Sequence, residues 1–311
     1  GLLLALEVLD LRGNCLVALP DCIGQLRALR MLDLRSNHLT ALPEGLCELA
    51  LLQTLDLQAN QLASLPEGIE HLASLQALRL RENRLAALPA GVCRLDALQV
   101  LLVSGNPLAS LPEGLGELAA LETLEAFGGP LAAVPEGLGW LSGLQALDLG
   151  RNELAAVPAS FGQLGALQTL SLRGNCLEQL PESIGQLSEL RTLHLSGNLL
   201  ATLPESIGYL SALTTLHLWN NQLTELPDSV AGLQALQTLE LHGNRLRALP
   251  EGLGALASLR TLDLRGNPLE ALPRGLGRLA GLQALDLRRS GLPRLPEEVE
   301  RLRERGLQVL Q

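Results

Sequence analysis

Asparagine recurs at a fixed interval: Asn14, Asn37, Asn60, Asn83 and Asn106, then Asn152, Asn175, Asn198, Asn221, Asn244 and Asn267. Successive members are 23 residues apart, with Gly129 filling the one gap and Ser290 carrying the series to a thirteenth place. Six residues after each of the thirteen stands a proline, from Pro20 to Pro296. A chain built from one short unit has no distant, unlike segments to pair with. Each unit must bury its apolar face against its own copies, and that dictates a solenoid.

The unit reads L-x-x-L-x-L-x-x-N-x-L-x-x-L-P-x-x-[IL]-x-x-L, as in Leu29, Leu32, Leu34, Asn37, Leu39, Leu42, Pro43, Leu46 and Leu49. The run Leu216-His217-Leu218 spells a short strand with its leucines facing in and the residue between them facing out. Parallel stacking satisfies backbone groups between coils and buries the leucines in one core. The asparagine falls in a buried turn, where its amide donates to and accepts from the backbone of adjacent coils. The Leu-Pro step then turns the chain into a short helix or 3-10 turn, with proline at its first position. Ten of the thirteen residues after the proline are acidic, from Asp21 to Glu297. They form a ridge where helix N-termini favour negative charge.

This pattern resembles the leucine-rich repeat family over essentially the whole chain. The 23-residue spacing with LPxxIGxL, as in "LPESIGQL" (180–187), is similar to the intracellular Ras-scaffold group. That group includes plant Ras-group-related proteins, Erbin and Scribble scaffolds, and the repeats of Roco GTPases. The resemblance implies an α/β fold: a right-handed solenoid with a curved parallel sheet on its concave face and short helical or 3-10 turns on its convex face. It also implies a protein partner bound on the concave sheet. The expected organisation is a single domain over 1–311, with thirteen repeats of 23 residues. A helix over 296–306 (PEEVERLRERG) caps the last coil, although LQVLQ begins another strand.

Composition narrows the function. The net charge of −10 argues against nucleic acid or an anionic membrane as partner. No run of 18 apolar residues free of charge exists to span a membrane. The five scattered cysteines and the absence of Asn-x-Ser/Thr favour a reducing, cytoplasmic compartment, which is the host cytoplasm for a secreted effector. All 23 basic residues are arginine, and with abundant Ala, Gly and Pro this suggests a GC-rich bacterial or algal gene. Gly1 opens a segment, GLLLAL, already in repeat register, as in a processed product or a piece of a longer chain.

Thirteen copies form an internal alignment of outward positions. Four and two residues before the asparagine, the common filling is Asp then Arg: Asp10/Arg12, Asp33/Arg35, Asp263/Arg265 and Asp286/Arg288. Such columns predict a solvated face of mutually neutralising charges. Two regions depart from it. Repeats five and six carry Leu102/Ser104 and Glu125/Phe127, with Gly128-Gly129-Pro130 predicting an altered turn and an apolar dent. Repeats nine to eleven carry His194/Ser196, His217/Trp219 and Glu240/His242, with Asn220 beside the tryptophan. An outward Trp among imidazoles suits recognition. Trp219, His194, His217, Glu240, His242, Asn220, Leu102 and Phe127 are therefore the candidate partner-binding residues. Trp140 and Tyr209 fall on the convex side, where they are expected to shield a neighbouring coil, and Phe161 fills a core Ile/Leu slot.

No catalytic chemistry emerges. GLGRLAG (275–281) follows the repeat's proline and lacks the strand-to-glycine context of a nucleotide loop. No zinc spacing or Cys-x-x-Cys occurs. Ser171 or Ser196 beside His194 would lie on an open sheet without an oxyanion site. His194, His217 and Glu240 are a conceivable metal set, but their outer members start two coils apart, about 10 Å. The reading is a non-enzymatic module binding a protein partner, with no cofactor and no metal. The alternative is the recognition arm of a larger bacterial or algal enzyme whose catalytic domain lies outside this chain: a Roco GTPase, a kinase or an effector ubiquitin ligase.

Overall fold

The computed structural model describes residues 4–292 and 294–311. The first three residues of GLLLAL thus lie outside the described residues. The chain forms two compact units, divided in sequence between Glu153 and Leu154.

The first unit carries seven three-residue strands: β1 (Val8–Asp10), β2 (Met31–Asp33), β3 (Thr54–Asp56), β4 (Ala77–Arg79), β5 (Val100–Leu102), β6 (Thr123–Glu125) and β7 (Ala146–Asp148). They pair in parallel in sequence order, each residue opposite its counterpart 23 positions on, as Leu9 lies opposite Leu32. The second unit repeats the scheme with β8 (Thr169–Ser171), β9 (Thr192–His194), β10 (Thr215–His217), β11 (Thr238–Glu240), β12 (Thr261–Asp263), β13 (Ala284–Asp286) and β14 (Gln308–Leu310), except that β14 lies 24 positions on from β13, as Ala284 opposite Gln308. After each of β1 to β12 the coil closes with a 3-10 turn, such as Glu44–Glu48 or Glu205–Tyr209. A helical turn with its side chains is wider than the strand spacing of about 4.8 Å, so within each unit the sheet lines the inner face.

The leucines of the unit are the core. Leu29, Leu32, Leu34, Leu39, Leu46 and Leu49 are fully buried, and Phe161 is fully buried in its Ile/Leu slot. The asparagine ladder has the expected pattern. Asn198 Nδ2 donates to the carbonyls of Leu172 and Leu195 (2.9 Å each), and its Oδ1 accepts from Leu177 N–H at 3.1 Å.

Two details of the turn differ from expectation. The proline is the N-cap, not the first helical residue: Pro43 is extended (φ −73, ψ 150), and its carbonyl accepts from Leu46 N–H. Members of the acidic ridge bond the next turn: Asp21 accepts from Gly45 N–H (2.7 Å), Glu182 from Ser206 N–H (3.1 Å) and Glu251 from Gly275 N–H (2.9 Å). Each carboxylate therefore caps the first turn of the following coil, where N–H groups lack intrahelical acceptors.

A further column was not anticipated. The residue before each ladder position has positive φ in all thirteen repeats, seven times as glycine and otherwise as Ser36, Ala59, Glu82, Arg151, Asn220 or Arg289. A side chain there costs roughly 1 kcal/mol against the left-handed backbone. Ala59→Gly is therefore expected to raise the unfolding free energy by about 0.5–1 kcal/mol, the reverse of the usual glycine penalty. Urea unfolding monitored by circular dichroism checks the sign.

In the last coil the 3-10 turn gives way to an α-helix, α1 (Glu297–Glu304), with Val299 and Leu302 buried in the usual leucine slots. The chain then turns at Gly306 (φ +107) and pairs β14 with β13. The helix expected to cap the fold is thus followed by one more strand.

Candidate functional site

The face around β9 to β12 gathers five of the eight candidate residues. Register sets the pairs: His194 lies beside His217, and His217 beside Glu240. The two imidazoles stack with centroids 4.2 Å apart and planes 10° apart. His217 Nδ1–H donates to Glu240 Oε2 at 2.6 Å. Two residues along, Trp219 stacks on His242 at 5.3 Å with planes 5° apart. Flat rings in adjacent coils meet face to face because coil spacing is close to offset-stacking distance. Trp219 is consequently half-buried, not the fully exposed indole expected. His242 Nδ1 lies 3.0 Å from Asp263 Oδ2, but out of line for a hydrogen bond, so this buried nitrogen touches a carboxylate without a bond.

The remaining three candidates are placed differently. Asn220 is exposed and sits at a left-handed turn position (φ 54), so its backbone conformation belongs to the repeat. Leu102 and Phe127 are in the other unit. Leu102 is buried at 7% exposure, although alternation along the strand marks it as outward. In the coils on either side, Arg81 and Glu125 form an ion pair that reaches across the coil carrying it. Phe127 is half-buried, with the Arg151 guanidinium 5.4 Å from its ring centre. At repeat six Gly128 keeps the left-handed φ (76°) found at that place in the other repeats, and the Asn106 carbonyl lies 2.9 Å from where a Cβ on Gly129 would stand.

The Asp–Arg face also needs correcting. Asp33, Asp56 and Asp263 are buried, at 8%, 5% and 8% exposure, and are not solvated. Each accepts the N–H two residues on, as Arg35 N–H to Asp33 at 3.2 Å. The side chain two residues on then holds the carboxylate, Gln58 for Asp56 and a guanidinium elsewhere: Arg265 Nε and Nη2 reach Asp263 at 2.9 and 2.6 Å, and Arg288 Nη2 reaches Asp286 at 2.6 Å. Burial pushes the Asp286 carboxyl up, but the Arg288 hydrogen bonds outweigh it and hold the group below its ordinary range. Sequence reading missed this because alternation marks both residues as outward and does not show that the shorter one folds back onto its own backbone.

Trp140 and Tyr209 are left largely open to solvent. They end their 3-10 turns with 64% and 75% of their surface exposed, and the Trp140 ring lies over Gly137 of its own turn. Among the described residues, no group of three or more His, Cys, Asp or Glu is arranged to hold a metal ion. No described helix is long and apolar enough to cross a membrane.

Comparison with known proteins gives consistent results. Leucine-rich repeat family models match residues 44–133 and 179–265, 1–39 and 139–200, and 258–279. Among solved structures, a leucine-rich repeat protein of Leptospira interrogans is 33% identical with a TM-score of 0.80, over 98% of this chain and 83% of that one. The Arabidopsis receptor kinase HAESA, solved with the peptide hormone IDA and the co-receptor SERK1, is 28% identical with a TM-score of 0.76. This match covers 93% of this chain and 52% of that one. The Drosophila Toll–Spatzle complex is 25% identical with a TM-score of 0.85, over 98% and 44%. No curated protein matches significantly in sequence. With the repeat unit, the ladder and more than half the length matched by one family model, this chain belongs to the leucine-rich repeat family.

Proposed function

We propose that this protein is a non-enzymatic binding module whose protein partner docks across the outward face of β9 to β12, centred on Trp219. Leucine-rich repeat folds serve generally as protein–protein interaction modules, and two of the similar structures are complexes with protein or peptide ligands. The observation that carries the reading is the pair of stacks, His194 on His217 and Trp219 on His242. These rings are ordered before any partner arrives, so little side-chain entropy remains to be lost on binding. Trp219 is the largest desolvatable group among them. With a partner recovered using the intact chain, Trp219→Ala is expected to weaken binding by about 2 kcal/mol or more. Thermal stability should change little, because Leu216 and Leu218, not Trp219, fill the core. Equal affinity of the two proteins would refute the patch.

We place the protein in a reducing, intracellular setting, as a member of the 23-residue scaffold class. All five cysteines are free thiols. Cys15, Cys22 and Cys176 are exposed, whereas Cys47 and Cys93 are buried. Burial, with Glu44 and Glu70 nearby, pushes the Cys47 thiol up to about 11. A disulfide-exchange reagent at pH 8 is thus expected to modify three thiols at once in the native protein and the other two only on unfolding. Fewer than three fast thiols in protein purified without reductant would count against this placement.

A further inference from the structure

Next to the Trp219–His242 stack the sheet face opens into a cavity of about 470 Å³ lined by His242, Gly243, Arg265, Gly266, Arg288 and Arg289. Its lining holds three guanidinium groups, one imidazole and no carboxylate, in a chain whose net charge is −10. Two of the guanidinium groups are fixed in place. Arg265 and Arg288 are each held through Nε and Nη2 by the aspartate of their own strand. A guanidinium has five N–H donors, so each keeps three for another acceptor. Asp263 and Asp286 neutralise these two charges, and Arg289 supplies the excess. It has no hydrogen bond or ion pair among the described residues, and it occupies a left-handed position (φ 58) that is glycine in the two preceding repeats. The N-terminal Asp10/Arg12 and Asp33/Arg35 coils have Gly13 and Ser36 there and lack the third cation.

We infer that this cavity is an acidic-side-chain subsite: it receives an Asp or Glu carboxylate of the protein partner whose apolar residue covers Trp219. The inference rests on the docking surface proposed above and adds its chemistry. Preorganised, partly neutralised arginines suit a planar carboxylate, which they can grip through two parallel N–H donors. The three guanidinium groups lie two to three coils from Trp219. That is about 12 Å along the sheet, or roughly four residues of extended chain at about 3.3 Å each. The partner segment therefore presents an apolar residue and an acidic one about four positions apart.

The probe is a capped peptide, acetyl-Leu-Ser-Thr-Ser-Glu-amide, together with its reversed-order form and the Gln counterpart of each. In a Trp140→Phe background Trp219 is the sole tryptophan, and its fluorescence reads occupancy. A Glu peptide should give a saturable change with Kd at least tenfold below that of its Gln counterpart. Arg289→Gly should raise that Kd at least fivefold, and the substitution also relieves the left-handed backbone, so misfolding would not explain the loss. Arg288→Gln should act in the same direction. Equal binding of Glu and Gln peptides, no saturable binding, or an unaffected Arg289→Gly variant would each overturn the subsite. With an intact partner, loss in Trp219→Ala but not in Arg289→Gly would remove the subsite and leave the docking surface standing. The converse result would remove Trp219 as its centre.

Discussion

Phe161→Ala is expected to lower the unfolding free energy by about 3–5 kcal/mol, the range for emptying a buried aromatic site. The ring has no exposed surface and stands in a column otherwise filled by branched aliphatics such as Ile184, Ile207 and Val230. Truncation removes the transfer free energy of the ring and leaves a cavity that backbone-bonded coils cannot close by collapsing. Phe161→Leu separates the two contributions. Leucine is the common filling of this slot, so that variant should lose well under half as much. Urea denaturation of wild type and both variants gives the comparison, and equal losses would show that the site is governed by aromaticity and not by volume.

Asn198→Ala is expected to cost about 3 kcal/mol. One buried amide serves three backbone groups, and its removal orphans the N–H of Leu177 outright. The carbonyls of Leu172 and Leu195 each lose one of two donors, since Asn175 and Asn221 still reach them. An unsatisfied buried N–H costs about 1–3 kcal/mol, and the lost carbonyl bonds and volume add to it. Asn198→Asp sharpens the test. It keeps the acceptor for Leu177 but turns both donors into a buried negative oxygen facing two carbonyls, so at neutral pH it should cost at least as much as alanine. Burial raises the carboxyl's folded pKa, so the penalty is complete above that pKa. It shrinks as pH falls through it, because the protonated acid can donate again. A pH-independent Asn198→Asp variant as stable as wild type would contradict the ladder.

The repeat explains how much of this was legible in sequence. Each leucine slot, each asparagine and the place of Phe161 follow from a period in which burial and hydrogen bonding leave one solution per position. Strand register and the stacking of His194 on His217 are consequences of the same period. What the pattern does not encode is how side chains bend once they leave the backbone. Asp33 was legible as outward, but its short carboxylate curls onto the Arg35 N–H and is buried. Leu102 was legible as outward too, yet it ends up buried. Trp140 and Tyr209 were assigned to packing because large rings usually pack, but at the ends of their 3-10 turns they stay largely exposed. The left-handed column was hidden because its residues share no chemistry, only a φ angle, and six non-glycine residues disguised it.

The direction of the ladder bonds has a consequence for synthesis. The Leu177 N–H needs the oxygen of Asn198, a residue made 21 positions later. The turn at Gly45 needs the carboxylate of Asp21, made 24 positions earlier. A coil emerging from the ribosome therefore arrives with its 3-10 turn already provided for and its loop still open, and it is completed only when its successor appears. At roughly 5–20 residues per second the folding front trails the growing end by one coil, or about 1–5 s. The nascent chain thus exposes one unfinished edge at a time, and the rest of what has been made is already closed.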